Sequence, residues 1–216
     1  MERMERMLNL SLRDFSKAVA SDSFAPGGGC VSALSGALSA SLAQMVLTLT
    51  IGKKKYAEFD NDNKNLLEQI KKHSEILLDC IERDAAGCAR IMEAMALPKD
   101  TEPERARRKA AMSEASKRAN EAPMDVCEKA LTLLRTFKTS LNKINRNTIT
   151  DWACGAMQAY AALEGAAMNA KINCSSIEDA KYRKDVEIRC RTMLGDGRAM
   201  LEEIRNQVHS SLDASN

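Results

Sequence analysis

Apolar positions recur at intervals of three and four along nearly the whole chain, which is the spacing of a helical face. Leu8, Leu12, Phe15 and Val19 predict a short first helix over about residues 9 to 21. A second should run from about 28 to 51, with a break or bend at Gly52. Leu66, Ile70, Leu77 and Ile81, continued by Ala85, Cys88, Met92 and Met95, predict a long amphipathic helix ending near Leu97-Pro98. Thr101 before "EPERARRKAAMSEASKRANE" is a helix-start signal with acids early and bases late, and Pro103 suits its first turn. That helix is polar and belongs outside. Pro123 opens another, through Val126, Leu131, Leu134 and Leu141, and the asparagine-rich "NKINRNTITD" interrupts it. One more helix starts at Asp151, and a last amphipathic one spans Asp179 to Val208, where Gly195 and Gly197 weaken the continuity. No strand–turn–strand pattern occurs. The expectation is an all-α, single-domain bundle of six to eight helices over residues 1–216.

Two of these segments differ from the rest. "GGCVSALSGALSASLAQMV" and "WACGAMQAYAALEGAAMNAKIN" consist mostly of Ala, Gly and Ser. Ala33, Gly36, Ala37, Ala40 and Ala43 fall at spacings of three and four, so another helix can approach closely there. Such thin helices suit the centre of a bundle, and their faces equally suit association with a second copy. The first follows "FAPGGG", where Pro26 and Gly27–Gly29 can expose successive amides at a helix N-terminus. A phosphate-binding loop is excluded, because no Gly-Lys-Ser/Thr follows at the required distance. A dinucleotide fingerprint is excluded because the segment arrives from a helix, not a strand. A buried structural helix behind a glycine turn and a ligand-binding cluster of amides both remain open.

Composition narrows the picture. Aromatics make up 4% of the chain, which favours close-packed thin helices over a sandwich. The 32 basic and 30 acidic residues leave +2, no footprint for nucleic acid. Seven cysteines form no CxxC pair and only His73 and His209 accompany them, so zinc-type ligand sets are missing and most thiols read as reduced core residues. The charged start "MERMERMLNL" lacks a signal-peptide core. Val31–Ile51 is apolar enough to raise a membrane span, but its serines, threonines and Gln44 fit a buried central helix better. A cytoplasmic protein is expected.

Candidate chemistry is sparse. Lys53, Lys54 and Lys55 follow the apolar helix at once, either as a solvated cap favouring the helix dipole or as a basic patch for an anionic ligand. Asp84 lies on the stripe formed by Ile81, Ala85 and Cys88, where an acid is costly unless paired or used. Asp151 can cap the helix it opens. With two histidines and no imidazole-centred arrangement, any catalysis would rest on carboxylate, lysine and backbone dipoles.

The stretches "APGGGCVSALSGALSASLAQMV", "LTIGKKKY", "DAAGC", "MEAMALPKDTEPERARR" and "NRNTITD...ALEGAAMNAKIN", in this order from about Leu10 to Leu201, resemble the cyclodeaminase/cyclohydrolase family of folate enzymes. The resemblance implies an all-helical homodimer that binds a tetrahydrofolate one-carbon derivative in a cleft, with no metal and no cofactor beyond that substrate. It places Asp84, Lys54 and Lys53 in catalysis, and Pro26, Gly27, Gly28, Gly29, Lys55, Tyr56, Asn145, Asp151 and Asn169 in substrate binding. The Gly27–Gly29 amides are expected close to the Lys53–Tyr56 region. This chain departs from the family pattern at Ala25 for Thr, Thr48 for Asn, Gly87-Cys88 for Ala-Phe and Ile144 for Gly; these bear on pocket shape more than on fold. The implied activity is hydrolysis of the 5,10-methenyl bridge to 10-formyltetrahydrofolate. Cyclodeamination of 5-formiminotetrahydrofolate is the alternative, and a folate-binding module without catalysis is the third reading.

Overall fold

The computed structural model describes residues 7–213, and the charged opening at residues 1–6 lies outside them. Seven α-helices follow in order: α1 (Leu12–Val19), α2 (Gly28–Thr48), α3 (Asp60–Met95), α4 (Glu102–Ala119), α5 (Glu121–Thr139), α6 (Ile149–Cys174) and α7 (Ala180–Asp213). No strand occurs among the described residues.

The helix boundaries follow local chemistry. Ser11 caps α1 by accepting from the Asp14 amide, so the helix is shorter than the apolar pattern suggested. α2 stops at Thr48, three residues early, because Gly52 turns the chain with φ 81° and the lysines enter a 3-10 segment, Lys54–Phe59. Glu104 reaches back to the Thr101 amide at 2.8 Å and closes the predicted capping box of α4. α5 starts at Glu121, before Pro123, with Asn120 ending one helix and starting the next. α7 runs unbroken through both glycines: Gly195 faces open space, while Gly197 lets Leu163 and Leu134 come close.

α2 and α6 occupy the centre, as their composition predicts. They run antiparallel. Ser39 donates to the Gly155 carbonyl at 2.7 Å, Ser32 lies against Gly165, and Gly28 against Asn169. The largest buried side chains, Trp152 and Phe137, meet edge to face at 4.7 Å, and Trp152 donates its indole N–H to the Phe137 carbonyl. One continuous core joins α2, α3, α5, α6 and α7. α2 is long and apolar enough to cross a membrane, yet 56% of its apolar window is buried inside this bundle. α4 stays outside, burying only Ser116 and Ala119.

Candidate active site at the N-terminus of helix α2

Gly27 precedes α2 with no side-chain cap, so the first amides of the helix lack partners within it. The Asp84 side chain, from the middle of α3, fills that position from 54 residues away. Its carboxylate accepts from the Cys30 thiol at 3.3 Å and lies beside the Cys30 amide. It lies so close to the Gly29 α-carbon that a Cβ there would overlap both carboxylate oxygens. Gly29 is therefore required by the approach of an acid. On the other flank, Asn169 of α6 lies over Gly28 and donates to the Gly165 carbonyl at 2.9 Å.

Electrostatics at this point are unusual for a carboxylate. Burial raises the Asp84 pKa above its ordinary value, and the Cys30 thiol and amide beside it oppose the shift. Arg83, next in sequence, turns away and pairs with Asp125 at 2.7 Å. Among the described residues no lysine or arginine pairs with Asp84. The Cys30 thiol is pushed up to about 12, by burial first and the Asp84 charge second, so it stays protonated and donates. A half-buried acid at a helix N-terminus can stabilise a cation and exchange a proton with bound water.

The remaining predicted residues lie elsewhere. Lys53, Lys54, Lys55, Tyr56, Asn145 and Asp151 gather at the C-terminal end of α2. The expectation that Gly27–Gly29 adjoin Lys53–Tyr56 is overturned within one chain, because the 21 residues of α2 separate them by about 30 Å. At this second end Asn145 is buried and braced: its amide N–H bonds the Thr50 hydroxyl at 2.8 Å and its side chain reaches the Leu49 carbonyl at 3.3 Å. The Tyr56 hydroxyl accepts from the Arg146 amide at 2.9 Å. Asp151 is no cap; it sits in the first turn of α6, two residues inside the start at Ile149. The three lysines are exposed and pair with no acid among the described residues. Lys55 and Tyr56 border a polar cavity of about 580 Å³ with Arg146 and Gln207.

Cys30 is the residue that sequence reasoning missed. It was grouped with the core thiols, and it is fully buried, but its polar role depends on a partner one helix away. Four of the seven cysteines are buried, and Cys154 is exposed.

Known proteins resemble this chain along most of its length. The model of the family described as formiminotransferase-cyclodeaminase matches residues 11–192. A methenyltetrahydrofolate cyclohydrolase from Methylorubrum extorquens is 33% identical over 205 residues, covering 95% of this chain and 99% of the relative. A formimidoyltransferase-cyclodeaminase from Gallus gallus is 33% identical over 171 residues, 79% of this chain but only 32% of the relative, so the chain spans about a third of that longer protein. The crystal structure of a formiminotetrahydrofolate cyclodeaminase from Thermotoga maritima superposes with a TM-score of 0.77 at 26% identity, over 96% of this chain and 98% of the other. The chain belongs to the formiminotransferase-cyclodeaminase family.

Proposed function

We propose that the protein is a methenyltetrahydrofolate cyclohydrolase. The observation that supports this reading most is the end-to-end match to the Methylorubrum extorquens cyclohydrolase, at 95% and 99% coverage. Asp84 on the bare end of α2 supplies the chemistry. The substrate carries a positive charge spread over N5, the bridging carbon and N10. A carboxylate beside it stabilises that charge and takes a proton from water attacking the bridging carbon. The N5–carbon bond then breaks, N5 takes up a proton, and the formyl group remains on N10; water is consumed and one proton is released overall. Gly27 and Gly28, with Pro26 and Asn169, leave the backbone open to a flat ring, while Lys53 and Lys54, at the far end of α2, do not reach the same bridging carbon within one chain. The folate derivative is the only small molecule required.

We further infer that residues 1–216 act as one folded unit, as a cytoplasmic homodimer engaging neither membrane nor nucleic acid. The Gallus gallus relative and the Thermotoga maritima structure favour a second reading, cyclodeamination of 5-formiminotetrahydrofolate, in which N10 attacks the formimino carbon and ammonia leaves. Loss of methenyl absorbance with purified protein, set against ammonia release from the formimino compound, separates the two. Tight folate binding with neither product would leave a binding module.

A further inference from the structure

We propose that the groove between α4 and the junction of α6 with α7 receives an acidic, extended segment of another protein. This inference does not rest on the folate reading above.

The groove consists of two neighbouring cavities that share Ser175 and Arg183. One, of about 610 Å³, lies against α4. The other, of about 660 Å³, lies between the last turn of α6 and the first turns of α7. Seven lysines and arginines line the pair against two glutamates, Glu178 and Glu187. That is an excess of five positive charges on a chain whose net charge is +2. Pairing within the protein does not remove it. Lys109 meets Glu178 at 2.6 Å and Arg105 meets Glu102 at 2.7 Å. Lys99, Arg108, Lys171, Arg183 and Lys184 pair with no acid among the described residues. By contrast Arg118, Lys138 and Arg189 each hold a carboxylate, at 2.8, 2.7 and 2.6 Å. Like charges gathered without counter-charge repel one another, and an anionic occupant relieves that repulsion.

The frame of the groove is set before anything binds. Residues 175–179 are clamped onto α4: the Glu178 amide donates to the Ser113 hydroxyl at 2.9 Å, Lys117 meets Asp179 at 3.1 Å, and Ile177 is buried. Arg108 is anchored by its Nε–H on the Met95 carbonyl at 3.0 Å. A groove already in shape loses little freedom on binding.

Shape and chemistry select the occupant. The five unpaired cations are divided along the groove, Lys99 and Arg108 in one cavity, Lys171 and Lys184 in the other, with Arg183 at the shared wall. That spread suits an elongated anion over a compact one. Cavities of these volumes are each about 10 Å across, so together they take about six residues of extended chain at roughly 3.4 Å each. No aromatic side chain lines either cavity, so nucleobases have no surface to stack on. Glu187, which pairs with no cation among the described residues, repels a phosphate polymer but can accept from a peptide N–H. Met112 and Val186 offer apolar contact to the methylene stems of acidic side chains.

Fluorescence anisotropy of a fluorescein-labelled hexaglutamate peptide tests the proposal on the full chain. Affinity should fall at least about tenfold between about 50 and 300 mM salt, and about tenfold or more in Arg183→Glu/Lys184→Glu. Lys64→Glu/Lys72→Glu makes the same charge change on exposed positions of α3 and should stay within about twofold of wild type. Circular dichroism checks that each variant folds, and the milder Lys171→Ala/Lys184→Ala should weaken binding about threefold or more. Equal binding of hexaglutamine, equal losses in the two charge-reversal variants, or inorganic polyphosphate of the same charge bound more tightly than the peptide would each overturn the proposal. Folate turnover in Arg183→Glu/Lys184→Glu should keep its kcat and KM. A raised KM would assign these cations to the substrate, overturning the docking surface and leaving the cyclohydrolase reading standing. Peptide binding by a chain that turns over no folate would do the reverse.

Discussion

At Gly29 a hydrogen atom is all that the Asp84 carboxylate leaves room for. The obstacle is the tip of a side chain with free torsions, so Gly29→Ala can be accommodated by turning the carboxylate aside. Stability is therefore expected to change by less than about 1 kcal/mol, while kcat falls by about tenfold or more. A melting curve beside a rate measurement checks the split. Asp84→Asn is expected to lower kcat/KM by about a hundredfold. It should also raise Tm at neutral pH. The folded protein holds the proton on Asp84 more tightly than the unfolded chain does, so stability falls as pH rises from the ordinary carboxylate value through the raised one. Removing the charge recovers that loss, and the advantage of the Asn variant should vanish below pH about 4. The same shift moves the acid limb of kcat/KM above that of an ordinary aspartate. A variant no more stable at pH 7 than wild type would contradict the cause assigned.

Helix glycines look alike in sequence and differ in place. A Cβ on Gly155 would stand 2.6 Å from the Phe137 ring and 3.4 Å from Leu42, inside the Phe137–Trp152 contact that joins α5 to α6. Gly155→Ala is expected to cost about 2–3 kcal/mol, since a ring packed on all sides has nowhere to move. Gly195 in α7 meets nothing. Gly195→Ala should stabilise by about 0.5–1 kcal/mol through helix propensity alone. Chemical denaturation of the pair measures both. An equal effect at the two sites would mean that α5 and α6 pack less closely than described.

The whole molecule buries α2 among α3, α5 and α6 and still leaves Val31, Leu38 and Met45 exposed on its outer side. The proposed homodimer makes activity depend on concentration. Turnover per chain is expected to fall on dilution below the dissociation constant. Leu38→Glu, placing a charge in the middle of the exposed apolar stripe of α2, should give a folded monomer with at least about tenfold less turnover. Circular dichroism, sedimentation and rate at one concentration together decide it; a monomer with full activity would contradict the proposed homodimer.

Sequence by itself determined the helices and which of them are thin, because a 3.6-residue period and runs of Ala, Gly and Ser are local properties. The central pairing of α2 with α6 followed from the same composition. The half-buried position of Asp84 beside Ile81 and Ala85 was also legible, as an acid set on an apolar stripe. What only the tertiary structure decided is distance. Gly27–Gly29 and Lys53–Tyr56 stand close along the chain, but the helix between them holds them at opposite ends of the bundle. Asp84 and Cys30, 54 residues apart, meet at 3.3 Å because α3 packs beside α2. Helical period fixes which face a residue takes; only the packing of one helix on another fixes what that face will touch.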